Sequence, residues 1–176
     1  MKRFSLSKTL PAALLAPLLA IGALGLSACG FTPLYGSQTV TKGLGSIEVV
    51  AASGRSGYLL REKLDDALAR DVNLLPTYRL VYTINEIRYA RGVRVDNVAN
   101  RYELSLTANW RLLDIKTGQQ LRSGSTNTTV TYDSADQPYA SIAAQQDSQE
   151  RAATELARRI QLELATWLAG KAQPKA

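Results

Sequence analysis

One cysteine, no histidine and a short run of arginines bound the chemistry open to this chain. Cys29 closes the stretch Leu26-Ser27-Ala28-Cys29, at the junction where an apolar leader gives way to the rest of the protein. A thiol there is placed for acylation. Once it is used, no disulfide and no thiol chemistry remain, because the other 175 residues contain no cysteine. The absence of histidine closes the routes through zinc sites, histidine triads and Cys–His nucleophiles. Acidic residues are spread singly, and no Ser-x-x-Lys stretch follows Cys29. The expectation is a protein that is not an enzyme and holds no cofactor or metal. The arginines are Arg88, Arg91, Arg94 and Arg101, four cations in a segment whose one acid is Asp96.

Lys2, Arg3 and Lys8 precede a run from Leu14 to Leu26 made of Leu, Ala, Ile and Gly with Pro17. A charged start, a short apolar core and small residues at the cut define a leader that is removed, so residues 1–28 are set aside from the fold. An apolar residue three before the cysteine and a small one just before it resemble a bacterial lipobox, in which the cysteine is lipidated and becomes the first mature residue. The plainer alternative is an ordinary secretory signal with a chance cysteine at its end. One acyl chain binds a bilayer only marginally, and several hold it durably. The lipobox pattern implies three. Gly30, in place of an acidic residue, resembles the pattern of lipoproteins forwarded to the outer membrane.

Removing 28 residues from 176 leaves 148, enough for one domain with a core. The leader carries half of the net +6, and a mature charge of +3 is too mild to argue for nucleic acid. Residues 29–45 are rich in Gly, Ser and Thr and read as the lipidated N-terminus and a linker. The folded domain is placed at 46–170, with 171–176 as a disordered tail. Ser46–Ala51 reads as a first strand, and Tyr58–Val72 as a helix closed by Asn73 and Pro76. Across Thr77–Val95 the apolar phase moves from Tyr78, Leu80, Tyr82 and Ile84 to Ile87, Tyr89, Val93 and Val95, which predicts a bulge near Asn85–Glu86. Arg101–Leu112 alternates cleanly, with Tyr102, Leu104, Leu106, Ala108, Trp110 and Leu112 on one face. Asp114–Gly118 turns into a Ser/Thr-rich strand to Tyr132, expected at an edge. A helix from about Ser141 to Ala169, stopped by Gly170, carries the stripe Leu156, Ile160, Leu164, Trp167/Leu168. The order β-α-β-β-β-α predicts an α+β two-layer sandwich, a mixed four-stranded sheet covered on one face by two helices. Trp110 and Trp167 read as core residues, and Tyr132 and Tyr139 around Pro138 as a strand-to-helix corner.

The opening Cys29-Gly30-Phe31-Thr32-Pro33-Leu34-Tyr35-Gly36, with the mature length and element order, resembles the LPS-assembly lipoprotein (LptE) family, especially its alphaproteobacterial members. The resemblance implies an outer-membrane lipoprotein that plugs the β-barrel LPS-assembly protein (LptD), supports its assembly and contacts lipopolysaccharide. Its domain would face the periplasm or the barrel lumen. Lipopolysaccharide carries phosphates on sugars, for which arginine offers a bidentate grip. On charge alone, Arg91 and Arg94, then Arg101 and Arg88, are the candidate lipopolysaccharide-binding residues, clustered near the tip of the expected hairpin. A solvated hairpin whose arginines keep an edge soluble is the alternative for this segment. For the whole chain the alternative is an auxiliary lipoprotein of an ABC-type lipid transport system, which shares the anchor, the size and an α/β domain.

Overall fold

The computed structural model describes residues 38–93, 95, 99–134 and 137–172. Their elements in chain order are α1 (Gln38–Gly45), β1 (Ile47–Val50), α2 (Arg55–Ala67), β2 (Tyr78–Val93), β3 (Ala99–Asp114), β4 (Gln120–Asp133) and α3 (Pro138–Ala172). The sheet order is β1-β2-β3-β4, with β1 parallel to β2 and the remaining pairs antiparallel. This is the expected α+β sandwich with a mixed four-stranded sheet. A third helix, α1, joins the two that were expected. It occupies part of the stretch read as linker, because Val40 and Leu44 share one helical face and bury it against α3.

The core lies between the sheet and the helices. Leu104, Leu106, Ala108, Trp110 and Leu112 of β3 are buried, in the alternation the sequence shows. Leu156, Ile160, Leu164 and Leu168 of α3 meet them, and alanines 152, 153, 157 and 165 let the helix approach closely. Tyr78 and Trp167 pack edge to face with centroids 5.7 Å apart. Burial pushes the Tyr82 phenol up to about 12, so it stays a neutral donor, and its hydroxyl bonds the Gly57 carbonyl at 2.7 Å.

Three local expectations are corrected. Helix α2 stops at Ala67 and does not run to Val72. Ala69 takes the left-handed conformation (φ 48°) with Ala69 N–H on the Asp66 carbonyl and Arg70 N–H on that of Asp65, a Schellman closure made without glycine. Gln161 of α3 also donates to the Ala67 carbonyl, which ties the helix end to its neighbour. The break in β2 is not at Asn85–Glu86. Its pairing with β3 runs unshifted from Tyr78 to Ala90, and the bulge lies at Arg91–Gly92. A Cβ on Gly92 would stand 2.1 Å from Asn100 Oδ1, so any larger residue there would have to turn that amide aside. Ile87 and Tyr89 therefore stay in phase with the open face of the sheet and are exposed. Finally, α3 begins at Pro138 and continues through Gly170 to Ala172. Pro138 suits the first turn, where its missing N–H costs no helical bond.

Candidate functional site

Strand alternation decides where the arginines go. On β2, the even positions from Leu80 onward face the helices and the odd positions face away. Arg88 therefore lies on the helix side. Its guanidinium sits 4.8 Å from the Tyr102 ring centroid and donates to Gln145 of α3 at 2.9 Å. Tyr102 stacks in turn on Tyr132, centroids 5.6 Å apart, so one arginine and two rings form a ladder across β2, β3 and β4.

Arg91 and Arg101 come together on the other side. Arg91, the extra residue of the bulge, holds Glu103 through two bonds, Nε at 3.1 Å and Nη2 at 2.7 Å, and lies 5.3 Å from the Tyr89 ring. That pairing keeps the Glu103 carboxyl below its usual range and the guanidinium above its own. Arg101 donates from Nε to Asp133 at 2.8 Å, its pairing set by the β3–β4 register. Both arginines line a cleft of about 650 Å³ with Asn100 and Ser134. A guanidinium carries five N–H donors, more than one carboxylate takes, so each can hold an anion beside its carboxylate. Of the four sequence candidates, two meet in this cleft and Arg88 points to the opposite face. Arg94 lies outside the described residues, as does Cys29.

Two further features shape the site, and the sequence reading missed only the second. The first is the open face of the sheet, which carries hydroxyls and amides along its middle: Thr83, Asn85, Thr107, Asn109, Ser125 and Asn127. Asn127 donates to Ser105 at 3.1 Å and to Thr107 at 2.8 Å, which fixes a hydrogen-bonding surface across two strands. No described helix covers this face. The second is a polar knot at the solvent-open margin between the sheet and the helices, where Glu86 is itself exposed. Glu86 follows Leu80, Tyr82 and Ile84 in phase, and its carboxylate accepts from Gln149 of α3 at 2.8 Å and from the Ser56 hydroxyl of α2. An acid in the core phase of a strand was the available signal.

The knot gives a first prediction. Ser56 is 5% exposed and Gln149 7%, so Glu86→Ala takes the protein acceptor from two donors on largely buried residues. A loss of about 1–3 kcal/mol is expected in urea unfolding, with Glu86→Gln recovering most of it because it keeps an acceptor. Equal losses for both variants would contradict the assignment.

The lipopolysaccharide-assembly family model (LptE) matches residues 44–164. Among solved structures, the chain is similar to a lipoprotein from Caulobacter crescentus CB15, with 64% identity, 77% of this chain and 98% of that chain covered, and a TM-score of 0.67. It also matches rare lipoprotein B from Shewanella oneidensis at 12% identity, covering 71% and 94% of the two chains with a TM-score of 0.44. For lipoprotein B from Nitrosomonas europaea the identity is 15%, the coverage 73% and 90%, and the TM-score 0.48. No curated protein matches the chain.

Proposed function

The chain belongs to the lipopolysaccharide-assembly LptE family, and from that premise we propose that it is a non-enzymatic outer-membrane lipoprotein, anchored through Cys29. In this reading it plugs and supports the β-barrel LPS-assembly protein LptD, and contacts lipopolysaccharide on its way to the outer leaflet. The observation that carries the reading is the family match over residues 44–164. The open sheet face supports it chemically. The interior of a large membrane barrel is polar and wet, and a face with hydroxyls and amides along its middle keeps hydrogen bonds there. An apolar face would instead demand a dry partner.

The test is an affinity pull-down of the tagged full-length lipoprotein from detergent-solubilised outer membranes, with partners identified by mass. One large β-barrel in one-to-one ratio is expected. Recovery of ABC-transporter or lipid-carrier subunits without a barrel would overturn the reading.

Within this function the hairpin arginines are assigned to the phosphates. Arg91→Ala combined with Arg94→Ala is expected to weaken lipopolysaccharide binding several-fold at low salt. It should also flatten the salt dependence, because exposed charge pairs are the contacts that salt screens. Binding titrations at two ionic strengths check this. Unchanged low-salt binding would remove the arginine assignment and leave the barrel role standing.

A further inference from the structure

The loop between α2 and β2 presents the most exposed aliphatic side chains of its end of the molecule. Val72 is 81% exposed and Leu75 90%, with Leu74 beside them at 43%. Its backbone is nonetheless held. Asp71 N–H bonds the Gly45 carbonyl, Leu74 N–H that of Asp71, and Thr77 N–H that of Ser46. The Asp71 carboxylate is turned back onto Asn73, accepting from its backbone N–H at 2.9 Å and its amide at 3.1 Å. An ordered loop that holds three apolar side chains in water has already lost the entropy that a binding partner would otherwise have to remove.

The surroundings of Leu74 and Leu75 identify that partner. They share a groove with Thr39 and Lys42 of α1 and with Tyr78 and Lys171, and none of the residues lining it is acidic. The Lys171 ammonium lies 4.7 Å from the Trp167 ring centroid and 5.8 Å from that of Tyr78. Aliphatic side chains, aromatic rings and lysines gathered at one place are the residue types that meet the acyl chains, the interface and the phosphates of a bilayer surface. Chain length supplies the second argument. Gln38, the first residue of α1, follows Cys29 by nine positions, which span at most about 32 Å even when fully extended. A lipid at Cys29 therefore keeps the start of α1, which supplies Thr39 and Lys42 to this groove, within about that distance of the membrane.

We propose that the Val72–Leu75 loop inserts into the phosphate and acyl-chain boundary of the bilayer that receives the lipid anchor, with Lys42 and Lys171 on the phosphates. The inference rests on the anchored reading of Cys29 and adds a second, protein-made membrane contact to it. The loop is the docking surface, and a phospholipid bilayer is its occupant.

The experiment uses the acylated full chain, in which Leu75→Cys is the one reactive thiol. The thiol is labelled with bimane, and the protein is reconstituted into vesicles of phosphatidylethanolamine and phosphatidylglycerol carrying acyl-chain nitroxides. Ser125→Cys on the open sheet face is the reference. The expected result is blue-shifted emission at 75, quenched several-fold more than at 125, and loss of that quenching when Val72→Asp is added while the protein still floats with the vesicles. Water-like emission at 75 on floating protein overturns the insertion alone. A blue shift without nitroxide quenching means that a protein segment covers the loop, and overturns it too. Failure to float overturns the anchor, and with it the insertion.

Discussion

Trp110→Ala is expected to remove about 3–5 kcal/mol of stability, a large share of the roughly 5–15 kcal/mol that holds a domain of this size together. Trp110 is 1% exposed and sits in the C-terminal half of β3, which packs against α3. Its indole N–H bonds the Thr126 hydroxyl on β4 at 3.1 Å, and that hydroxyl donates to Glu163 of α3, also at 3.1 Å. One side chain therefore fills the layer between sheet and helix and joins three elements. Gly124 makes the room: a Cβ there would stand 2.5 Å from Trp110 Cζ2. Gly124→Ala should cost about 1–3 kcal/mol by overpacking. In a Trp110→Phe background, where the contacting atoms are gone, most of that cost should vanish. Urea unfolding of the two single variants and the double variant measures the coupling. Strictly additive losses would mean that the two residues do not compete for the same space.

Cys29→Ala has the largest expected effect on location. Each buried methylene of an acyl chain contributes about 0.8 kcal/mol, so the three chains the lipobox pattern implies would hold the protein to a membrane durably. Among the described residues no helix is long and apolar enough to cross a bilayer. The Val72–Leu75 loop, three side chains deep, cannot replace that lipid. Wild-type protein should show the mass of its acyl groups on an N-terminal Cys29 and stay with membranes through alkaline carbonate washing. The Cys29→Ala chain should carry no lipid mass at all. A wild-type chain that begins after residue 28 without added mass would leave an ordinary secretory signal, and would remove both the anchor and the loop contact.

Much of this architecture was legible where sequence period and burial period coincide. The six apolar positions of β3 and the four-residue stripe of α3 each turn one face to the core, and their patterns could be read directly. Helix α1 was not legible, because its Gly/Thr composition looks like a spacer and only two residues, Val40 and Leu44, reveal a buried side. The end of α2 was hidden for a related reason. Its Schellman closure uses Ala69 where a glycine would mark the stop, so the apolar period runs on to Val72 past the point where the helix ends. In β2 the apolar Ile87 and Tyr89 suggested a change of face. The strand instead keeps its phase by satisfying Glu86 with Ser56 and Gln149, partners 30 and 63 residues away that no local pattern indicates.

The arginine cluster shows the same limit. Four cations close in sequence look like one site, yet alternation sends Arg88 to the helix side, while Arg91 and Arg101 share the open face. Their carboxylate partners, Glu103 and Asp133, are supplied by strand register, which composition does not report. Charge located the segment. Pairing decides what the segment has to offer a phosphate.

The long central hairpin also works as a ruler. Strands β2 and β3 have 16 residues each, and at about 3.3 Å per residue they extend roughly 50 Å. A bilayer with its headgroups is about 40–45 Å thick. The leucine-tipped loop lies just before the first residue of β2, and Arg91 lies near its last. A domain moored by the first end, as proposed above, would hold its arginines about one membrane thickness from that end, measured along its own strands.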